Sequence, residues 1–276
     1  MQREIARKIV GLPAMDGDGV KMTRIIGTPE LDMLDPFLLL DHFESEQAED
    51  YIGGFPDHPH RGFETVTYLL AGRMRHKDNA GHEGVIEAGG VQWMTAGRGI
   101  VHSEMPEQED GLLSGFQLWV NLPAGAKMSP PAYQEYSYDE LAVESADNSC
   151  VRVVAGSTNM GATGPVKAEH VKPLYMDISL GDNAVFHQDI AEEQNAFLYV
   201  IQGQIEVGER QERLDQNVLG ILGDGRELKI KSNAESRFLL VSARPLNEPV
   251  ARGGPFVMNT REEVMQAFTD FQQGRF

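Results

Sequence analysis

The sequence predicts an all-β protein, a barrel or sandwich of short strands, and three observations carry that reading. Runs rich in β-branched and aromatic residues recur along the chain, separated by Asp, Asn and Gly clusters. The 276 residues include 29 Gly and 14 Pro, a composition suited to many turns. A strand–glycine–strand pattern near residue 70 returns in the second half of the chain. With 41 % hydrophobic residues the chain can build a real core, and its length suits two ordinary domains.

Taken in order, the strand-like runs are 63–70, 85–88, 91–95, 115–120, 151–155, 174–180, 197–201 and 238–241. The first reads Phe-Glu-Thr-Val-Thr-Tyr-Leu-Leu and ends at a turn through Ala71-Gly72. A short helix or turn is expected over 138–143. Helix is otherwise confined to the end, where Thr260 and Glu263 have capping-box spacing and Val264, Met265, Phe268 and Phe271 follow with helical periodicity. The expected helix covers 261–272. Tyr68-Leu69-Leu70-Ala71-Gly72-Arg73-Met74 aligns with Tyr199-Val200-Ile201-Gln202-Gly203-Gln204-Ile205 at an offset of 131 positions (199 − 68). That offset is near half the chain and suits two barrels. Pro123, Pro130 and Pro131 fall in a polar stretch, so the expected partition is a first unit over 1–130, a linker over 131–148 and a second unit over 149–276 that includes the terminal helix.

Charge and cysteine content exclude several classes. There are 24 basic and 42 acidic residues, a net charge of −18, which argues against direct binding to nucleic acid or an anionic membrane. Cys150 stands alone, so neither an intrachain disulfide nor a cysteine zinc cluster can form. Residues 1–20 lack a signal-peptide core, and no stretch approaches the roughly 18 to 20 apolar residues of a membrane span. A cytoplasmic location is expected.

Six of the eight histidines lie between His42 and His102. In Asp57-His58-Pro59-His60 the two imidazoles are two residues apart, so in an extended segment both project to one side, and Pro59 keeps His58 extended. In Gly97-Arg98-Gly99-Ile100-Val101-His102-Ser103-Glu104 a second such pair, His102 and Glu104, follows a glycine turn. Two pairs on neighbouring strands would offer three nitrogens and a carboxylate to a divalent first-row metal: iron, manganese, cobalt, nickel, copper or zinc. His76 and His82 border a polar turn and are expected in solvent. His42 is expected to be buried and hydrogen-bonded.

The stretches His58–Tyr68 and Gln92–Glu104 resemble the pirin family of the cupin superfamily. So do Leu118-Trp119-Val120-Asn121-Leu122-Pro123 and Gly254-Pro255-Phe256-Val257-Met258-Asn259-Thr260. The resemblance implies a bicupin, two tandem barrels of the double-stranded β-helix or jelly-roll type, with one metal, Fe(II) foremost, in the first. Its ligand pattern falls on His58, His60, His102 and Glu104. Many other cupins take the carboxylate from the position of Glu64, which stands here as the alternative. At the repeat offset, His58 and His60 correspond to Asp189 and Ala191, so the second barrel cannot build the same site. The activity implied is a quercetin 2,3-dioxygenase-type opening of a flavonol or similar enol-containing aromatic, with Glu104 as ligand or base. The alternative is a metal- or redox-dependent regulatory protein acting on a transcription or metabolic partner. A small aromatic substrate, dioxygen and a monomeric chain are expected, with a protein partner under the regulatory reading.

Overall fold

In the computed structural model, residues 1–146 and 148–276 are described. Asp147, inside the expected linker, lies outside them. The chain forms two compact units, one from residues 12–138 with 246–276, the other from 1–11 with 139–245.

Each unit pairs a seven-stranded with a four-stranded antiparallel sheet, and the strand order is the same in both. In the first, the small sheet runs Phe55–His60, Ile100–Pro106, Arg73–Asp78, Glu83–Glu87; in the second it runs Val185–Asp189, Glu227–Ser232, Gln204–Val207, Glu212–Asp215. The repeat seen in the sequence is the hinge of this plan. Phe63–Ala71 turns at Gly72 (φ +88°) into Arg73–Asp78, as Asn195–Gln202 turns at Gly203 (φ +75°) into Gln204–Val207. The left-handed backbone at both turns favours glycine, because a Cβ would clash there.

The expected partition is corrected at both ends. A large sheet needs its edge covered, and in each unit the covering strand comes from outside the repeat. Ala132–Tyr136, within the expected linker, pairs with Val91–Thr95 in the first unit. Ile5–Val10, expected in the first unit, pairs with Val218–Leu222 in the second. Ala142–Ala146 pairs with Ser149–Ala155, so the linker is largely strand with a one-turn 3-10 helix at Tyr138–Glu140.

The terminal helix covers Arg261–Gln272 and closes its capping box through Thr260 and Glu263. It packs within the first unit, against the hairpin of Ala251–Gly253 and Phe256–Met258. Its buried face is Val264 and Ala267, with Phe268 edge-on to Phe256 at 4.9 Å, whereas Met265 is 64 % exposed. No helix among the described residues is long and apolar enough to cross a membrane.

The two interiors differ. In the second unit one apolar cluster, including Val151, Met176, Ile178, Leu198, Phe238 and Leu240, fills the space between the sheets. In the first, an apolar cluster around Val20, Phe43, Leu69 and Met74 is one part of the interior. The cavity described next opens within the same unit.

Candidate metal centre

The site begins with strand register. Phe55–His60 and Ile100–Pro106 run antiparallel, with His58 opposite His102 and His60 opposite Ile100. His58 and His60, two apart, share a face, and the cross-strand pairing brings His102 to them. The ring centroids lie 4.7 Å apart for His58 and His60, 4.4 Å for His58 and His102, and 5.1 Å for His60 and His102. One ring nitrogen from each falls within 4.8 Å of the others.

Hydrogen bonding orients the rings. His58 Nδ1 lies 2.8 Å from the Pro56 carbonyl, an obligate acceptor, so that nitrogen carries the proton and Nε2 presents its lone pair. That Nε2 faces His60 Nε2 at 3.1 Å. Burial first, and then neighbouring imidazoles, push the pKa values of His60 and His102 well below the ordinary 6.5, which keeps both rings neutral at neutral pH. Among the described residues neither nitrogen of His102 has a hydrogen-bond partner. A buried polar atom left unpaired costs about 1–3 kcal/mol. Three converging imidazoles, two of them held neutral by burial, fit a first-row transition metal, which would satisfy their lone pairs.

Glu104 is 2 % exposed and lines the same cavity as His58 and His60. Its Oε1 accepts a hydrogen bond from Thr67 Oγ1 at 2.9 Å, its Oε2 one from Gln117 Nε2 at 3.1 Å. The register against Phe55–His60 shifts between His102 and Glu104, so Glu104 is not one of the side chains whose ligand atoms converge. Glu64 sits at the alternate parity from Thr67, where Thr95 Oγ1 donates to its Oε1 at 2.7 Å. It does not line the cavity.

A second layer holds the two histidine motifs. Arg61, directly after His60, is 4 % exposed. Its Nε donates to the Arg98 carbonyl at 2.5 Å, its Nη1 meets Asp270 at 2.8 Å, and its guanidinium lies 4.3 Å from the centre of the Phe276 ring. Gly62 N donates to Gly97 O at 2.8 Å, which ties the two histidine motifs together. Buried Lys127 donates to Gly62 O, Asn121 Oδ1 and Val257 O at 2.8, 2.6 and 3.0 Å, and burial lowers its pKa to about 8.

The cavity measures about 480 Å³, with apolar walls that include Leu39, Phe43 and Trp119. Trp119 stands edge-on to His60 at 5.1 Å. Gln117, Trp119 and Thr67 escaped the sequence reading; their signal is strand alternation on the large sheet, which turns Thr67 and Gln117 to Glu104 and Trp119 to His60. Three further histidines fall as follows. His42 is buried and stacks on Phe116 at 4.4 Å. His76, expected in solvent, is instead 3 % exposed with Nε2 2.8 Å from Glu135, because Arg73–Asp78 continues as strand through the expected turn. His82 is exposed and pairs with Asp78.

The two-barrel fold agrees with comparison to known proteins. The description Pirin matches residues 19–120, and that of the Pirin C-terminal cupin domain matches residues 175–276. The chain belongs to the pirin family. It is a pirin-family bicupin, as its two barrels require. A Pirin-like protein of Caulobacter vibrioides is 52 % identical over 99 % of both chains. The crystal structure of a quercetin 2,3-dioxygenase from Acinetobacter baumannii superposes with a TM-score of 0.91 at 32 % identity, covering 100 % of this chain and 99 % of that one. A bacterial pirin from Escherichia coli, crystallised with nickel(II), shares the fold with a TM-score of 0.69 at 20 % identity, covering 87 % of this chain and 99 % of that one.

Proposed function

We propose that this pirin is a metal-dependent dioxygenase that opens the ring of a flavonol or a similar enol-containing aromatic. The observation that carries the reading is the convergence of His58, His60 and His102 in one unit, with His58 and His60 in the wall of a cavity with apolar faces. Those three imidazoles and Glu104 would hold the ion, Fe(II) by expectation. When bound, the metal supplies Lewis acidity toward a substrate hydroxyl and redox chemistry toward dioxygen.

The chain's own residues set the conditions. Burial keeps His60 and His102 unprotonated, and the Pro56 carbonyl fixes the tautomer of His58. Thr67 and Gln117 orient the Glu104 carboxylate, which accepts the proton of the substrate's enolic hydroxyl. Leu39, Phe43 and Trp119 receive the aromatic body and exclude water.

Elemental analysis of the purified protein, followed by oxygen uptake and carbon monoxide release with quercetin on the same sample, tests this. Metal-loaded protein that consumes no oxygen with quercetin overturns the flavonol reading.

A further inference from the structure

We propose that the substrate carries a carboxylate remote from its metal-binding oxygen, and that Arg252 is the residue that recognises it. The inference rests on the dioxygenase reading and narrows its substrate class.

Two cations line the cavity, Arg24 and Arg252. Arg24 is already paired: its Nε and Nη2 grip Asp41 at 2.9 and 2.8 Å, and Nη2 also meets Asp16 at 3.1 Å. Arg252 is not. Its guanidinium makes no hydrogen bond to the described residues, and the nearest carboxylate oxygen, from Asp32, is 3.8 Å away, beyond hydrogen-bond range. Asp32 is 85 % exposed, so water screens it, while the Arg252 side chain is only 28 % exposed. Burial lowers the Arg252 pKa, the mark of a cation that has lost water without gaining a full counter-charge.

The position of Arg252 is fixed relative to the metal ligands. It sits on Ala251–Gly253, paired with Val257, and Val257 N donates to the carbonyl of Arg61, the residue after His60, at 3.0 Å. The guanidinium is a planar fork of N–H donors that matches a carboxylate in two parallel hydrogen bonds. A phosphate dianion fits less well, since Asp16, Asp41 and Glu104 line the same cavity and repel a second negative charge. The substrate therefore combines an enolic oxygen, a planar aromatic body and one carboxylate.

The test compares 3-hydroxyflavone with 3-hydroxyflavone-4′-carboxylate, titrated by fluorescence against the metal-bearing protein without dioxygen. The carboxylate is expected to bind at least about ten-fold tighter, the effect of one charge-assisted pair. In Arg252→Gln the two affinities converge, and in Arg252→Lys part of the preference returns. Elemental analysis of each variant confirms that the folded, metal-bearing protein is being compared. Equal affinities in the wild type, a preference that survives Arg252→Gln, or no binding of either probe overturns the assignment. Binding is read without turnover, so a failure of ring opening is scored separately, in the oxygen-uptake assay.

Discussion

An imidazole acts as a ligand when its proton is held elsewhere, and the half-buried His58 meets that condition through Pro56. Replacing His58, His60 or His102 by Ala should leave purified protein nearly free of metal by elemental analysis. Glu104→Ala should lose metal and Glu64→Ala retain it; the reverse pattern would move the fourth ligand to Glu64. Thr67→Val removes the donor to Glu104 and should weaken metal affinity about ten-fold or more, read by competition with a chelator. The lowered pKa values of His60 and His102 also set a pH dependence. Below pH 6.5 the unfolded chain protonates these groups before the folded chain does. Their contribution to stability is therefore complete above 6.5 and is lost as pH falls toward the lowered folded-state values. Urea midpoints of metal-free protein should fall below pH 6.5, and fall less in a His60→Gln/His102→Gln variant. Lys127→Met leaves three buried acceptors unpaired and should cost about 3 kcal/mol in urea unfolding.

At the scale of elements, the C-terminal hairpin and helix brace the candidate metal centre. Asp270 and the Phe276 ring close over Arg61, whose neighbours are the candidate ligand His60 and the turn residue Gly62. Asp270→Ala should reduce metal affinity about ten-fold by the same chelator competition, an effect of the size that orienting contacts carry. Thr260→Ala removes the helix cap and should cost about 1 kcal/mol in thermal or urea unfolding. The short strands and the capped helix were legible locally, since each depends on side-chain alternation or on a three-residue spacing. The buried face of that helix was less so. Its periodicity included Met265, but the strands it packs on select Val264 and Ala267.

At the scale of the whole molecule, the boundaries of the units follow sheet edges and not chain order. Ile5–Val10 and Ala132–Tyr136 each complete a sheet, and residues 246–276 brace the unit that precedes them by a full barrel. A fragment of residues 1–130 lacks both the Ala132–Tyr136 strand and the C-terminal brace. Its thermal unfolding by circular dichroism should show no cooperative transition, whereas a fusion of 12–138 to 246–276 should restore one.

The amino-acid sequence alone determined the all-β class, the duplicated strand–glycine–strand unit, the terminal helix and the residues able to bind a metal, because each is written in near-neighbour spacing. Only the tertiary structure decided that the Glu104 carboxylate stands apart from the three converging imidazoles, which strand closes each sheet and which cavity cation lacks a hydrogen-bonded carboxylate. Those depend on cross-strand register and on contacts such as Arg61 with Asp270, whose partners lie 209 positions apart. No local pattern encodes a pairing of that range; the packed chain enforces it.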